Sequence, residues 1–492
     1  MENKREVATL KIGKRSFITA FIILFLLMMA VGVLTQVIPT GSYERATIDG
    51  KETIIQDSFR FTEAARLPVY RWFTAPVEVL GSSDGMVVIV IIFFLLAVSM
   101  AFSLLEKSGI MSLFISKAVR KFGNMKYLLM AILVFFFMLT GAVLGTFEEN
   151  IALVPLIIAL AYCMGWDSLV GLGMSMLASC FGFTAAITNP FSIAITQEIS
   201  GLPLYSGSGY RIIIFAVFYA VLFTFLYLYA RKIEKNPEKS RVYKDDASLR
   251  EKYRDTGSLN QMLSQKTPAE YMKLKKASLA FGAFLALMLA LLVLASFVSI
   301  LSDLLLPILG ILLLAGGLIA SGIAGISLRR RMKIISSAAL AIAPGIALIL
   351  MAMSVKFIIS GGGIMDTILY YTANAIQTTS PFVAVLLIYA LILLLELFVG
   401  SSSAKAFLVM PLIAPLSDLV GITRQTSVLA FSFADGFSNM IYPTNPVLLI
   451  CLGLTVVSYT RWMKWTIRLQ LISLALACAF VLIGVAINYG PF

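Results

Sequence analysis

Two short motifs that could bind ions or small polar molecules each occur twice in the sequence. The first is Thr-Asn-Pro, found at Thr188–Pro190 and again at Thr444–Pro446, in both cases inside an otherwise apolar stretch. Proline lacks a backbone N–H and interrupts a helix, so each stretch is predicted to unwind at this point. The freed amides of a broken helix can bind anions, and its freed carbonyls can bind cations.

The second repeated motif is a glycine followed by polar residues. It is Gly145–Asn150 (GTFEEN) in the first half of the chain and Gly400–Lys405 (GSSSAK) in the second. Glycine permits a tight turn, and hydroxyl groups both donate and accept hydrogen bonds. Each motif is therefore predicted to form the tip of a helical hairpin.

Five ionisable side chains accompany these motifs: Glu148, Glu149, Glu396, Lys405 and Asp435. Four acids and one base sum to minus three when all are ionised, which favours a cation or a zwitterion, such as an amino acid, over a free dianion. A carboxylate substrate with coupled sodium ions would also neutralise the excess. A structural ion pair between Glu396 and Lys405, with Asp435 as a second partner, is the alternative to a binding role.

The hydroxyls and Lys405 of the second tip, with the helix amides, are the expected position of a substrate carboxylate. The amino group or a coupling cation is expected near Glu148 and Glu149. The predicted substrate-binding and ion-binding residues are Thr146, Glu148, Glu149, Asn150, Thr188, Asn189, Pro190, Gly400, Ser401, Ser402, Ser403, Lys405, Asp435, Asn439, Thr444, Asn445 and Pro446. No catalytic residue or cofactor is predicted. Because the chain has no histidine, any proton coupling would use carboxylates.

The elements that position these residues are predicted to be membrane-spanning helices. Of the 492 residues, 59% are hydrophobic and only 13% are charged, whereas soluble proteins carry about 25% charged residues. A helix needs about 20 apolar residues to cross a bilayer. Stretches of this kind are Ser16–Ile38, Gly85–Leu105, Arg211–Ala230, Ala277–Leu301 and Leu469–Ile487. The net charge of +13 is interpreted as cytoplasmic topology signals, and no nucleic-acid partner is predicted.

The two halves of the chain are predicted to be inverted repeats. Asn189 and Asn445 lie 256 positions apart, as do Pro155 and Pro411. If the first tip belongs to a re-entrant hairpin, 30 of the 39 lysine and arginine residues fall in cytoplasmic segments, which predicts a cytoplasmic N-terminus. The expected location is the inner membrane of a bacterium.

The predicted fold is an all-α polytopic membrane protein with about nine transmembrane helices and two re-entrant hairpins. The first repeat spans residues 1–231, with a hairpin at 130–164 and a broken helix at 168–198; a cytoplasmic linker spans 232–276; the second repeat spans 277–492, with a hairpin at 382–420 and a broken helix at 425–456. The linker is predicted to be a solvated connector, with an amphipathic surface helix near Leu259–Leu274 as an alternative.

The sequence resembles the YfcC-like family of anaerobic carriers, described variously as four-carbon dicarboxylate carriers or arginine/ornithine-type antiporters. The segments that carry the resemblance are GTFEENIALVPL, ITNPFS, SSSAKAFLVMPLIAPLSDLVG and FADGFSNMIYPTNP. It covers nearly the entire chain and implies membership of the ion transporter superfamily, a homodimer, and elevator-type transport in which a transport domain slides past a scaffold. By position, the resemblance implies substrate and sodium sites at Gly400–Ser403 and the Thr-Asn-Pro loops.

The first tip departs from the family pattern. Sodium/dicarboxylate relatives have Ser-Asn-Thr where this chain has Phe147–Asn150, which weakens the case for a simple dicarboxylate substrate. The expected function is secondary active transport, by ion-coupled symport or exchange, of a small carboxylate-bearing metabolite, with an amino acid such as arginine or ornithine preferred and a C4-dicarboxylate as the alternative. The expected partners are this substrate, membrane lipid and a second copy of the chain.

Other functional classes fit the sequence less well. An intramembrane enzyme could pair Glu148 with Asp435, but the chain has no histidine and no metal-binding motif. A primary pump needs a nucleotide site, and no GxxxxGK[ST] motif is present. A passive channel would also explain polar helix breaks, but two opposed hairpins favour alternating access.

Overall fold

The computed structural model describes residues 14–48, 51–55, 57–63, 66–247, 249–250, 267–295 and 299–490. Within these ranges, 8 helices are long and apolar enough to cross a membrane. They overlap all five of the apolar stretches named from the sequence. The protein is therefore an all-α, multi-pass membrane protein, as predicted.

The helices divide the chain into long continuous segments and short interrupted ones. The α-helices are α1 (Lys14–Val37), α2 (Tyr70–Glu78), α3 (Gly85–Ser108), α4 (Ile110–Phe122), α5 (Lys126–Leu139), α6 (Val154–Cys163), α7 (Ser168–Leu172), α8 (Ala178–Thr184), α9 (Ile195–Ile199), α10 (Ser208–Lys235), α11 (Pro268–Ala295), α12 (Ser299–Ile323), α13 (Leu328–Gly361), α14 (Met365–Gln377), α15 (Pro381–Glu396), α16 (Ser402–Leu419), α17 (Arg424–Ser438), α18 (Pro446–Gly453) and α19 (Tyr459–Ala486). Turns of π-helix lie at Thr140–Leu144, Gly173–Leu177 and Pro190–Ala194, and 3-10 turns at Val79–Gly81, Gly123–Met125, Glu149–Leu153 and Pro237–Lys239.

Four short strands lie in the loop between α1 and α2 and were not predicted from the sequence. They are β1 (Gly41–Ser42), β2 (Arg45–Ile48), β3 (Lys51–Ile54) and β4 (Arg60–Phe61). β1 pairs antiparallel with β4, and β2 pairs antiparallel with β3.

The helices pack in two groups. In the first, α3 packs against α12 and α13, α11 packs along α12, and α1 packs along α13; we call this group the long-helix bundle. In the second, α17 packs against α8, α15 and α19, while α5 packs against α8 and α10; we call it the broken-helix bundle. Most of the motifs singled out from the sequence lie beside the broken-helix bundle, but α18, which begins at the second Thr-Asn-Pro motif, packs against α13 of the long-helix bundle.

Both Thr-Asn-Pro motifs lie between two helical segments. α8 ends at Thr184 and helical structure resumes at Pro190, and α17 ends at Ser438 and resumes at Pro446. In each case the asparagine caps the second helical segment by accepting backbone N–H groups. A cap of this kind contributes about 1 kcal/mol, so the side chain that marks the break also stabilises the restart of the helix.

The segment predicted to form a hairpin at 130–164 begins and ends beside the same end of α10. Lys126, at the start of α5, and Trp166, just after α6, both contact Glu234 near the C-terminal end of α10. The Lys126 Nζ–Glu234 Oε1 distance is 2.7 Å, and the Trp166 Nε1–Glu234 Oε1 distance is 2.6 Å. The two ends of this segment therefore lie close together at the C-terminal end of α10.

The predicted hairpin at 382–420 opens at the other end of α10. Pro381, at the start of α15, lies beside Gly421, just after α16. Next along the chain, Gln425 donates a 2.7 Å hydrogen bond to the Ser206 carbonyl, two residues before α10 begins. A helix of 28 residues is about 42 Å long. The ends of segment 126–166 and the ends of segment 381–421 therefore lie about the length of α10 apart.

The central linker differs from the prediction at its start. α10 continues to Lys235 and α11 begins at Pro268, and residues 251–266, which include most of the alternative surface helix, lie outside the described residues. Ser240, Val242 and Asp246 are buried, so this part of the linker is docked onto the protein. Buried side-chain hydrogen bonds hold it there, and these leave no apolar periodicity in the sequence.

Candidate functional site

The first hairpin tip is built around a left-handed glycine and a buried asparagine. Gly145 has φ 69°, and a Cβ there would lie 2.5 Å from Asn189 Oδ1, so both the turn and the packing require glycine. Asn150 is buried and donates to the Thr146 carbonyl at 3.0 Å and to Ser179 Oγ at 2.9 Å. The Asn150 amide therefore fixes the shape of the tip.

The first Thr-Asn-Pro loop packs directly against this tip. Asn189 Oδ1 accepts from the N–H groups of Phe191 at 2.9 Å and Ser192 at 3.2 Å, and Asn189 Nδ2 donates to the Gly141 carbonyl at 3.3 Å. Thr188 Oγ1 donates to the Val143 carbonyl at 3.3 Å. The tip and the loop of the first half thus form one hydrogen-bonded unit.

The second Thr-Asn-Pro loop repeats the capping geometry. Asn445 Oδ1 accepts from Val447 N at 2.9 Å and Leu448 N at 3.2 Å, the same spacing as in the first half. Asn445 Nδ2 donates to Asn439 Oδ1 at 2.5 Å. The equivalent asparagines therefore perform the same local task in both halves, and Thr444 is half-buried beside them.

The second hairpin tip carries the serines singled out from the sequence. Ser401 accepts from Ala404 N at 3.4 Å and so caps α16. Ser402 Oγ donates to Asp435 Oδ2 at 2.7 Å, and Ser401 and Ser403 have their hydroxyls 3.5 Å apart. Gly400 and Ser401 are exposed, so this tip faces open space.

Lys405, Glu396 and Asp435 form a buried ion triad. Lys405 is 0% exposed; its ammonium forms an ion pair with Glu396 and another with Asp435, the latter at 2.8 Å. These contacts are those of the structural alternative considered from the sequence. Lys405 lies beside the second tip, and its ion pair with Asp435 connects the start of α16 to α17.

The two tips and the two loops meet crosswise. Ser402, in the second tip, lies 3.2 Å from the carbonyl of Phe191, which follows the first Thr-Asn-Pro motif. Glu148, in the first tip, lines a crevice together with Pro446 and Val447, which begin the helix after the second motif. Each tip therefore lies against the half-helix of the opposite half, and the predicted residues of both halves come together.

The acidic residues of the first tip have different surroundings. Glu149 Oε2 accepts a hydrogen bond from Phe147 N at 3.2 Å. Glu148 is exposed, and among the described residues its carboxylate has no hydrogen-bond or ion-pair partner. The other residues that line its crevice, Ile91, Phe94, Ile151, Leu306, Pro446, Val447 and Ile450, are apolar. Among the described residues neither acid of the first tip has a cationic partner, and Glu148 is the one that also lacks a hydrogen bond.

Sequence reasoning did not single out two groups that complete the arrangement. Ser179 on α8 accepts from Asn150, and the Phe191 carbonyl lies beside Ser402. Neither carries a sequence signal, because serines in apolar helices are common and a backbone carbonyl has no sequence signature. Within the described ranges, no group of three or more acidic, cysteine or histidine side chains is arranged to hold a metal ion.

Comparison with known proteins places the chain among membrane transporters. Residues 17–486 match the family described as DcuC, C4-dicarboxylate anaerobic carrier. A relative in Escherichia coli strain K12 with the provisional name basic amino acid antiporter YfcC is 30% identical over 482 residues, covering 90% of this chain and 91% of that protein. An uncharacterised protein of Haemophilus influenzae is 25% identical and covers 92% of this chain and 93% of its own length.

Among solved structures, the YdaH transporter of Alcanivorax borkumensis is similar, with 18% identity and a TM-score of 0.40 over 96% of this chain and 98% of that chain.

Proposed function

Because the chain belongs to the DcuC family of anaerobic carriers, which are membrane transporters and not enzymes, we propose that it is a secondary active transporter of a small carboxylate-bearing metabolite. An amino acid such as arginine or ornithine is the preferred substrate. The observation that carries this proposal is the crosswise meeting of two hairpin tips and two capped half-helices beside an unpaired carboxylate. Broken helices at equivalent positions of two halves are the usual location of a transporter's binding site.

In the proposed site, the second tip binds the carboxylate of the substrate and the first tip binds its positive charge. Ser401 and Ser403, with exposed Gly400, offer hydroxyl and backbone groups to the substrate carboxylate. Glu148 accepts the positive charge, and its apolar crevice suits the methylene groups of a basic side chain. The Glu396–Lys405–Asp435 triad holds the second tip in place behind the site.

The proposed mechanism is elevator-type alternating access. The broken-helix bundle, which contains both tips and is held together by the contacts of α17 with α8, α15 and α19, moves as the transport unit past the long-helix bundle. The halves 1–231 and 277–492 are the proposed inverted repeats, and the opposite openings of the two hairpins support this assignment. We also propose a homodimer in a bacterial inner membrane, with the N-terminus in the cytoplasm and coupling to Na⁺ or H⁺.

A C4-dicarboxylate carrier is the second candidate, and the family description supports it. The two candidates predict opposite results in proteoliposomes that are offered labelled arginine, ornithine, a neutral amino acid and succinate. Sodium gradients, proton gradients and internal counter-substrate are varied separately. We expect labelled arginine or ornithine to accumulate inside the proteoliposomes in exchange for internal counter-substrate. Accumulation of succinate alone would establish the second candidate, and no uptake of any of the four by correctly folded protein would contradict both.

Glu148 is expected to determine whether the transporter prefers cationic over neutral substrates. A hydrogen bond to a charged group is worth about 1.5–3 kcal/mol, so Glu148→Gln should weaken transport of a cationic amino acid by roughly 10- to 100-fold while sparing a neutral one. Glu149→Gln is the matched control. Its amide oxygen can still accept from Phe147 N, so a much smaller effect is expected. Equal losses in both variants, or a loss for neutral substrates alone, would refute this assignment.

A further inference from the structure

The start of the central linker is fastened to the base of the first hairpin by a buried carboxylate. We call residues 237–247 the linker latch. Asp246 is 0% exposed and accepts hydrogen bonds from the Tyr162 hydroxyl at 2.7 Å, from Ser168 N at 2.9 Å and from Ser168 Oγ at 2.9 Å. Tyr162 lies near the end of α6, and Ser168 begins α7. The latch is therefore hydrogen-bonded to the residues where the first hairpin ends and the broken helix starts.

A second buried carboxylate joins the same structure from the other side. Asp167 is 2% exposed and accepts from Ser240 Oγ in the latch and from the Tyr229 hydroxyl on α10, both at 2.7 Å. It also accepts from Val170 N at 3.0 Å and so caps α7. Two carboxylates thus lie on either side of Ser168 and tie the latch, the hairpin base and α10 together.

The groups that face Asp246 are uncharged apart from Asp167. From α6 it meets the Tyr162 phenol, and from α7 it meets Ser168. No cation among the described residues lies within ion-pair distance of either buried carboxylate. Two anions held by neutral donors repel each other, and burial deprives both of water.

Several charged groups near the latch have partners other than Asp246, and among the described residues Lys239, Arg241 and Lys244 of the latch form no ion pair with it. Arg461 at the start of α19 pairs with Asp245. Lys126 of α5 pairs with Glu234 of α10 at 2.7 Å. Arg250 donates to the Tyr243 carbonyl at 3.0 Å and lies over its ring. The contacts of Arg461 and Arg250 involve the latch residues Asp245 and Tyr243, the Lys126–Glu234 pair joins α5 to α10, and none of the three neutralises Asp246.

We propose that the linker latch is a proton-operated device that binds the base of the first hairpin when Asp246 is protonated and loosens as the cytoplasmic pH rises. This inference rests on the cytoplasmic placement of the linker proposed above but not on the identity of the substrate, and the labelling test below needs neither. A change in cytoplasmic pH at the latch would then affect the first tip through α6, which runs from the latch towards Glu148 and Glu149.

The direction of the pH dependence follows from proton linkage. Burial, with Asp167 as the second cause, raises the pKa of Asp246 from 3.8 to about 7. The docked carboxyl then holds its proton more tightly than it would in a free linker, so docking is strongest at low pH and weakens as the pH rises towards 7. Between pH 8 and pH 6, linkage to one such group strengthens docking by about tenfold.

Docking can be measured without any transport assay. Val242, in the latch, is 0% exposed, whereas Lys239 is exposed. In full-length protein lacking Cys163, Cys180, Cys451 and Cys478, Val242→Cys is labelled with a maleimide at pH 6 and pH 8, and Lys239→Cys corrects for thiol ionisation. The corrected labelling rate is expected to be about tenfold lower at pH 6. Trypsin cleavage after Arg241 in the unmodified protein repeats the measurement without a cysteine.

Two substitutions assign the effect to Asp246. Asp246→Asn mimics the protonated side chain, so Val242→Cys should be protected at both pH values. Asp245→Asn removes a neighbouring charge that faces Arg461 and should leave the pH dependence intact. Turnover in proteoliposomes should be slower at inner pH 6 than at pH 8, and the Asp246→Asn variant should be slow at both. Labelling that is equal at pH 6 and pH 8, or that keeps its pH dependence in Asp246→Asn, overturns the proposal.

Discussion

Lys405→Met is expected to destabilise the protein severely. The substitution leaves Glu396 and Asp435 buried, 5% and 1% exposed, without the cation that both contact. Removing one partner of a buried ion pair costs about 3–5 kcal/mol, because the remaining charge stays out of water. We expect a large fall in the apparent Tm, or loss of the monodisperse species, when detergent-solubilised protein is heated and examined by fluorescence-detected size exclusion.

Two matched variants separate charge imbalance from lost packing. Replacing all three members with neutral residues, Lys405→Met with Glu396→Gln and Asp435→Asn, removes the unpaired charges and should recover most of the stability. Lys356→Met breaks a half-exposed pair with Asp84, and exposed pairs contribute only about 0–1 kcal/mol, so its Tm should change little. If the triple variant is as unstable as Lys405→Met, the charge argument is wrong.

Gly436→Ala is expected to disrupt the crossing of the two broken helices. A Cβ at Gly436 would overlap the backbone of α8 at Thr184 and would lie 2.5 Å from the carbonyl carbon of Phe183. Backbone cannot rotate away as a side chain can, so α17 and α8 would have to separate. Overpacking of this kind costs about 1–3 kcal/mol or more, and transport should be lost together with a drop in Tm.

Gly282→Ala is the control for this experiment. Gly282 also lies within a helix, α11, but a Cβ there would meet nothing within 4 Å. Alanine favours a helix over glycine by about 1 kcal/mol, so this variant should be as stable as the parent or slightly more stable. Normal stability and transport in Gly436→Ala would mean that the two broken helices are not held at this separation.

Local features of the fold were predictable because they depend on neighbouring residues. The breaks before Pro190 and Pro446 follow from the missing N–H of proline, and the long apolar helices follow from hydropathy and length. The linker start was not predictable: Tyr162 and Asp246 are 84 positions apart, and nothing in the composition of either segment indicates the partner. The short strands of the first loop were missed for a different reason, because strands of two and four residues are too short to leave an alternating pattern in the sequence.

The same division applies to the candidate site. The residue types, their duplication and the excess of negative charge could all be read along the chain, because each is a property of composition or spacing. Which acid is paired and which is free was decided by the packing of α15, α16 and α17 around Lys405, whose partner Asp435 lies 30 positions away. An ion pair depends on distances of a few ångströms, and those distances are set only when separate helices pack. The sequence therefore supplied the charged groups, and the tertiary structure paired Glu396 and Asp435 with Lys405, whereas Glu148 has no partner among the described residues.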